Sequence, residues 1–203
     1  QELNSAVESG KKEVSEFRDK KLQESDWCGV REVLTNSTTL VKLDLYGTAM
    51  GVVGAKEMAV VIKANTSLES LAIGSNNIGD EGAKAVSVGL ASNRTLVTLD
   101  LSYNTIGVEG AKAVCEALAS NNALKTIELG WNEIGVVGAQ AVRDALLSNS
   151  TLESLSLEWN EIGVVGAQAV RDALLSNCKL ESLNLSWNDI GDEGAKAVCE
   201  GLA

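Results

Sequence analysis

The stretch WNEIGVVGAQAVRDALLSN stands at 131–149 and returns unchanged at 159–177, an offset of 28 residues. The same step runs through most of the chain, with a leucine opening each unit: Leu40, Leu68, Leu96, Leu124, Leu152 and Leu180. This period leaves few folds open. A unit so short cannot bury an apolar face by itself, so the units must stack and cover one another, which makes a solenoid.

Each unit reads LxxLxLxxNxIG and then xxGAxAVxxxLxxNxx. In the first half leucines alternate with polar residues, as in Leu99-Asp100-Leu101 and Leu155-Ser156-Leu157, which is the period of a strand. In the second half Ala111, Val114, Ala117 and Leu118 fall at helical spacing. Strand then helix, with no long loop between, predicts an α/β stack with a parallel sheet on one side and helices on the other. Helices are wider than strands, so the stack curves with the sheet inside. Asn76, Asn104, Asn132, Asn160 and Asn188 recur where the chain leaves the strand. An amide both donates and accepts, so this column is read as structural, satisfying backbone groups left open by the turn. The first unit has Thr48 there.

Residues 1–25 carry no trace of the period. Leu3, Val7, Val14 and Phe17 fall at helical spacing, which predicts an amphipathic helix despite Gly10. Val30, Val33 and Leu34 then share a helical face, the helical half of a degenerate unit. The division expected is 1–39 as a helical cap and degenerate first unit, and 40–203 as six repeats. The cap would cover apolar side chains and a strand edge at the open end.

LDLSYNTIGVEGAKAVCEAL and LNLSWNDIGDEGAKAVCEGL resemble the ribonuclease-inhibitor type of leucine-rich repeat, found also at the C-terminus of NOD-like receptors. The resemblance covers about 40–203. It implies a right-handed solenoid, curved, with the parallel sheet inside and helices outside. It says little of function, since this architecture serves many partners.

Composition narrows the function classes. The net charge is −11, with 28 Asp and Glu against 17 Lys and Arg, and no histidine. Phosphate backbones need clustered cations, so nucleic acid is a poor partner; a basic protein or peptide suits such a surface. Without histidine there is no Ser-His-Asp or Cys-His arrangement, and zinc loses its commonest nitrogen ligand. No phosphate-binding loop GxxxxGK[ST] occurs. Asp100 and Glu128 lie on adjacent strands, but on an open solvated curve nothing is expected to set their pKa values apart. The chain is therefore read as non-enzymatic, with no cofactor and no metal. Cys28, Cys115, Cys178 and Cys199 form no CxxC, and Cys115 and Cys199 sit three units apart, too far to bridge. With no signal peptide and no apolar run of spanning length, an intracellular, cytoplasmic setting away from membranes is expected. A start at Gln1 and a stop at Ala203 just after a helical segment read as a piece of something longer.

The strand face offers a candidate binding surface. Between the inward leucines runs the column Asp44, Ala72, Asp100, Glu128, Ser156 and Asn184. Two places on come Tyr46, Gly74, Ser102, Gly130, Glu158 and Ser186, and next Gly47, Ser75, Tyr103, Trp131, Trp159 and Trp187. Glu133, Glu161 and Asp189 each follow a tryptophan by two residues. Aromatics beside carboxylates suit a basic partner, since indole gives large area at low rotamer cost and its face attracts cations. The expectation is a scaffold that holds a basic protein or peptide on its concave face. Tyr103, Trp131, Trp159 and Trp187 are its anchors; Asp100, Glu128, Glu133, Glu158 and Glu161 steer the ligand. The competing explanation is unit duplication, which multiplies an aromatic without selection. Three alternatives stay open: a ligand-sensing or autoinhibitory repeat domain of a larger NOD-like-receptor-type protein, a GTPase activator, and a designed repeat array. The oligomeric state is not legible. On the helix side Lys84, Lys112, Gln140, Gln168 and Lys196 form a solvated column.

Overall fold

The structure, a computed structural model, describes residues 2–177 and 179–202. Gln1, Cys178, Ala203 and the side chains of Leu3, Asn4 and Glu8 lie outside the described residues. Seven short strands, β1 Glu13–Val14, β2 Lys42–Asp44, β3 Ser70–Ala72, β4 Thr98–Asp100, β5 Thr126–Glu128, β6 Ser154–Ser156 and β7 Ser182–Asn184, form one parallel sheet in sequence order. The helices between them are α2 Trp27–Asn36, α3 Gly51–Ala64, α4 Gly79–Ser92, α5 Val108–Ser120, α6 Gly135–Ser148 and α7 Gly163–Leu174. Helix α1 Glu2–Glu8 precedes the sheet and α8 Gly191–Gly201 follows it. Paired strands sit ~4.8 Å apart while packed helices need about 8–10 Å, so a stack of such units curves toward its sheet.

Register follows from the apolar columns. Leu43, Leu71, Leu99, Ile127, Leu155 and Leu183 are Cα partners in turn, and all but Leu183 are buried. A slip of one residue would turn each of these side chains to the opposite face. On the helix side the recurring Gly-Ala pair lets neighbours approach: a Cβ on Gly166 would collide with Ile162 and sit 3.0 Å from the Cβ of Ala139.

Two asparagine ladders tie unit to unit. In the expected one, Asn132 is buried; its Oδ1 accepts from Asn104 N at 3.0 Å and Ile106 N at 2.9 Å, 28 and 26 residues earlier. Its Nδ2 donates to Leu101 O, Leu129 O and Gly130 O. Thr48 serves in the first unit, donating to Leu45 O at 2.9 Å and to Asn76 Oδ1 at 3.0 Å. The second ladder, Asn65, Asn93, Asn121, Asn149 and Asn177, lies at the other end of the unit. Asn121 Nδ2 donates to Leu90 O of the preceding helix at 2.8 Å, while its Oδ1 accepts from Ala123 N and Leu124 N. These residues close the carboxyl end of one helix and start the next strand.

The first 25 residues depart from the expected helix. Helix α1 stops at Glu8, and Val14, read as part of its face, belongs instead to β1, where it pairs with Leu43. Glu13 faces Lys42, one residue out of step with the spacing of the other strands, which is why the period does not show there. Val7, Val14 and Phe17 are nevertheless all buried, at 4%, 1% and 4% exposure. These three apolar residues join the core from a short helix, a strand and a turn, and not from one helix.

Asn132→Ala would strand two buried N–H groups, each costing about 1–3 kcal/mol when unsatisfied. A loss of at least about 2 kcal/mol in urea unfolding is expected; a change within experimental error would show that water replaces the amide.

Candidate functional site

The aromatic column lies beyond the carboxyl ends of the strands, three residues after each. There the backbone turns left-handed: φ is 54° at Ser75, 55° at Tyr103, 57° at Trp131, 50° at Trp159 and 57° at Trp187. Bulky residues rarely adopt this region, which costs roughly 1–2 kcal/mol each. The neighbouring unit holds it in place, since Tyr103 N donates to Gly130 O at 3.0 Å, Trp131 N to Glu158 O at 2.7 Å and Trp159 N to Ser186 O at 3.0 Å.

With this backbone the rings meet. Tyr103 and Trp131 stack with centroids 4.9 Å apart and planes 10° off parallel, and Trp131 and Trp159 at 4.4 Å and 6°. Trp159 and Trp187 lie 5.4 Å apart, tilted by 34°. Aromatic pairs contribute about 0.5–1.5 kcal/mol beyond burial, close to the cost of the left-handed turns. The two nearly cancel. The row thus adds little to stability and leaves its edges in solvent, with Tyr103 44%, Trp159 43% and Trp187 71% exposed.

All four aromatic candidates therefore lie in one row, beside the strand ends and not on the strand face itself. Their use of one another changes the expected chemistry: both faces of Trp131 are covered by rings, so a cation has mainly ring edges and the outer face of Trp187 to meet. Trp27 stands apart in the core, 1% exposed and packed close to Gly54.

The carboxylates gather beside the row. Asp100 and Glu128 are Cα partners on adjacent strands. Asp100 Oδ1 accepts from Ser102 N at 2.8 Å and from its Oγ at 2.6 Å, and Glu158 Oε2 accepts from Asn184 Nδ2 at 3.3 Å. Glu133 and Glu161 are exposed, Glu161 with φ at 56°. Among the described residues no Lys or Arg forms an ion pair with any of these five. Contrary to expectation, Glu128 is set apart: partial burial raises its carboxyl above the ordinary value, and Asp100 and Glu158 add to the rise against the lowering effect of Ser156. The Tyr103 hydroxyl is raised too, by partial burial first and then by Tyr46 and Glu158.

The helix side shows the solvated face expected. Lys84 pairs with Glu81 and Lys112 with Glu109, and Arg143 and Arg171 each pair with the following aspartate. Cys115 is buried, and desolvation, followed by Asp144 and Glu116, pushes its thiol up to about 12, so it is no nucleophile. Among the described residues there is no cluster of metal-binding side chains, and no helix is long and apolar enough to cross a membrane.

A family profile described as leucine rich repeat matches residues 64–87, 92–115, 120–142, 148–170 and 176–199, more than half of the chain. The chain belongs to the leucine-rich-repeat family. The stretch from Leu40 to Lys63, the unit with Thr48 in the asparagine column, falls outside the matched repeats. No curated protein sequence matches this leucine-rich-repeat chain. Among solved structures it is similar to the tropomodulin C-terminal domain from Caenorhabditis elegans, at 13% identity over 73% of this chain and 90% of that one, with a TM-score of 0.63. A structure of leiomodin-1 actin-binding site 2 aligns over 99% of this chain and 88% of that one at 15% identity, with a TM-score of 0.45. At such identity the likeness to tropomodulin is one of fold.

Two outcomes follow. Trp131→Gly is expected to unfold at a urea concentration no lower than Trp131→Ala, because glycine relieves the left-handed turn that alanine keeps. Because its carboxyl is raised in the folded state, Glu128 favours folding when protonated and opposes it once ionised. Glu128→Gln should therefore raise the urea midpoint at pH 7, and the gain should vanish below pH 4.5, the ordinary value. A gain independent of pH would exclude the charge as its cause.

Proposed function

We propose that this leucine-rich-repeat stack is a non-enzymatic scaffold that binds a basic protein or peptide along the aromatic row. On this reading residues 1–39 close the amino-terminal end, and the six units from Leu40 carry the surface. The observation behind it is the pairing of two costly features on one strip. Tyr103, Trp131, Trp159 and Trp187 expose apolar area from strained backbone positions, and five carboxylates beside them have no cation of their own among the described residues. Apolar area kept exposed at strained positions for little net gain in stability suggests a use elsewhere. Uncompensated carboxylates repel one another and are relieved by a cationic ligand.

The full helix in each 28-residue unit, 13 residues in α5 and 14 in α6, supports repeats of the ribonuclease-inhibitor type. A reducing, cytoplasmic setting fits the free thiols of Cys28, Cys115 and Cys199. The partner of a structural neighbour does not transfer with the fold, so the ligand here is defined by charge and shape alone.

Trp159→Ala should weaken binding to a purified partner by about 2 kcal/mol or more while near-native helical circular dichroism persists. Affinity for that partner should also fall with added salt, as it does for exposed charge pairs. Unchanged affinity in the variant would remove the row from the binding surface.

A further inference from the structure

The aromatic row has two ends, and one of them is already occupied by the chain itself. Arg18, which follows β1, lays its guanidinium carbon 4.1 Å from the centroid of the Tyr46 ring. Its Nη1 donates to Asp44 Oδ2 at 3.0 Å. Tyr46 meets Tyr103 edge-on with centroids 6.5 Å apart, so this seat is continuous with the row. Asp44 heads the column that holds Asp100 and Glu128, and Tyr46 heads the column that holds Glu158.

We propose that the basic ligand presents arginine, and not lysine, to Asp100, Glu128 and Glu158, as Arg18 presents its guanidinium to Asp44. This rests on the scaffold reading above and names its ligand chemistry. Three features favour guanidinium. Its plane can lie against the edges of the neighbouring rings while its fork reaches carboxylates on two adjacent strands. Asp100 and Glu128 offer such a pair across one strand spacing, ~4.8 Å. It is also more weakly hydrated than ammonium, which matters beside the partly buried Glu128, because a compact ammonium would give up more hydration to reach it. Among the described residues Lys42 pairs with Glu13 at 2.9 Å and Lys125 with Glu153 at 2.7 Å, and Lys20 lies 5.0 Å from the centroid of Phe17, a ring outside the row, whereas Arg18 stacks on Tyr46, which meets the row.

The test is calorimetric titration of the full chain with three otherwise identical glycine–serine peptides bearing arginines, lysines or citrullines. The arginine peptide should bind at least about tenfold more tightly than the lysine peptide, and the citrulline peptide should show no binding. Joint Glu128→Gln and Glu158→Gln replacement should reduce that preference about tenfold, with near-ultraviolet circular dichroism showing the ring stack intact. Equal affinity for arginine and lysine overturns the inference and leaves the broader basic-ligand reading standing. Arginine preference that survives the double replacement overturns the placement. Binding of neither peptide also overturns the inference, and the scaffold reading is then decided separately by Trp159→Ala against its protein partner.

Discussion

What makes this chain a stack is a side-chain amide that reaches across to the neighbouring unit's backbone. Asn104, Asn132, Asn160 and Asn188 are buried, and each accepts from one or two N–H groups of the preceding unit while donating to carbonyls of both units. In a dry interior such groups would cost about 1–3 kcal/mol apiece if left open. Asparagine fits because it has two donors and an acceptor on a short, stiff arm. The second ladder does the same where helix turns back to strand. Between the two ladders the leucines need only fill volume.

The left-handed residues follow from the same geometry. Having been fixed by the ladder, the chain must bend sharply to leave the strand, and the bend falls on the column that carries the aromatics. Four rings held at one backbone conformation, one unit apart, have little choice but to stack, because strand spacing and ring spacing are both near 4.8 Å. The charge pattern is then superimposed on a rigid base. Side chains more than fifty residues apart in sequence, such as Asp100 and Glu158, both act on Glu128 because the stacking of units brings them beside it.

The period and the alternation of leucines made the solenoid, its register and the asparagine column legible, because those depend on spacing alone. The gathering of Tyr103, Trp131, Trp159 and Trp187 was legible for the same reason. Their stacking was not, since alternation implies extended backbone and the residue types give no sign of positive φ in tryptophan. Nor was β1: Val14 and Phe17 are three apart, a spacing that suits a helix or a strand followed by a turn, and the one-residue shift against β2 hides the repeat. Glu128 was misjudged because its partial burial comes from neighbouring strands. Arg18 carried no signal at all, as its seat on Tyr46 exists only once the first strand is in place.

The two identical stretches at 131–149 and 159–177 sit in successive units, and their asparagines Asn132 and Asn160 make the same bond to the carbonyl 31 residues earlier. One unit can therefore be copied or lost during replication without creating a new junction, provided that the change is a whole number of units. Such a gene can alter the reach of its product the way a chain of links is lengthened, adding one ring and one turn at a time while every joint stays the same.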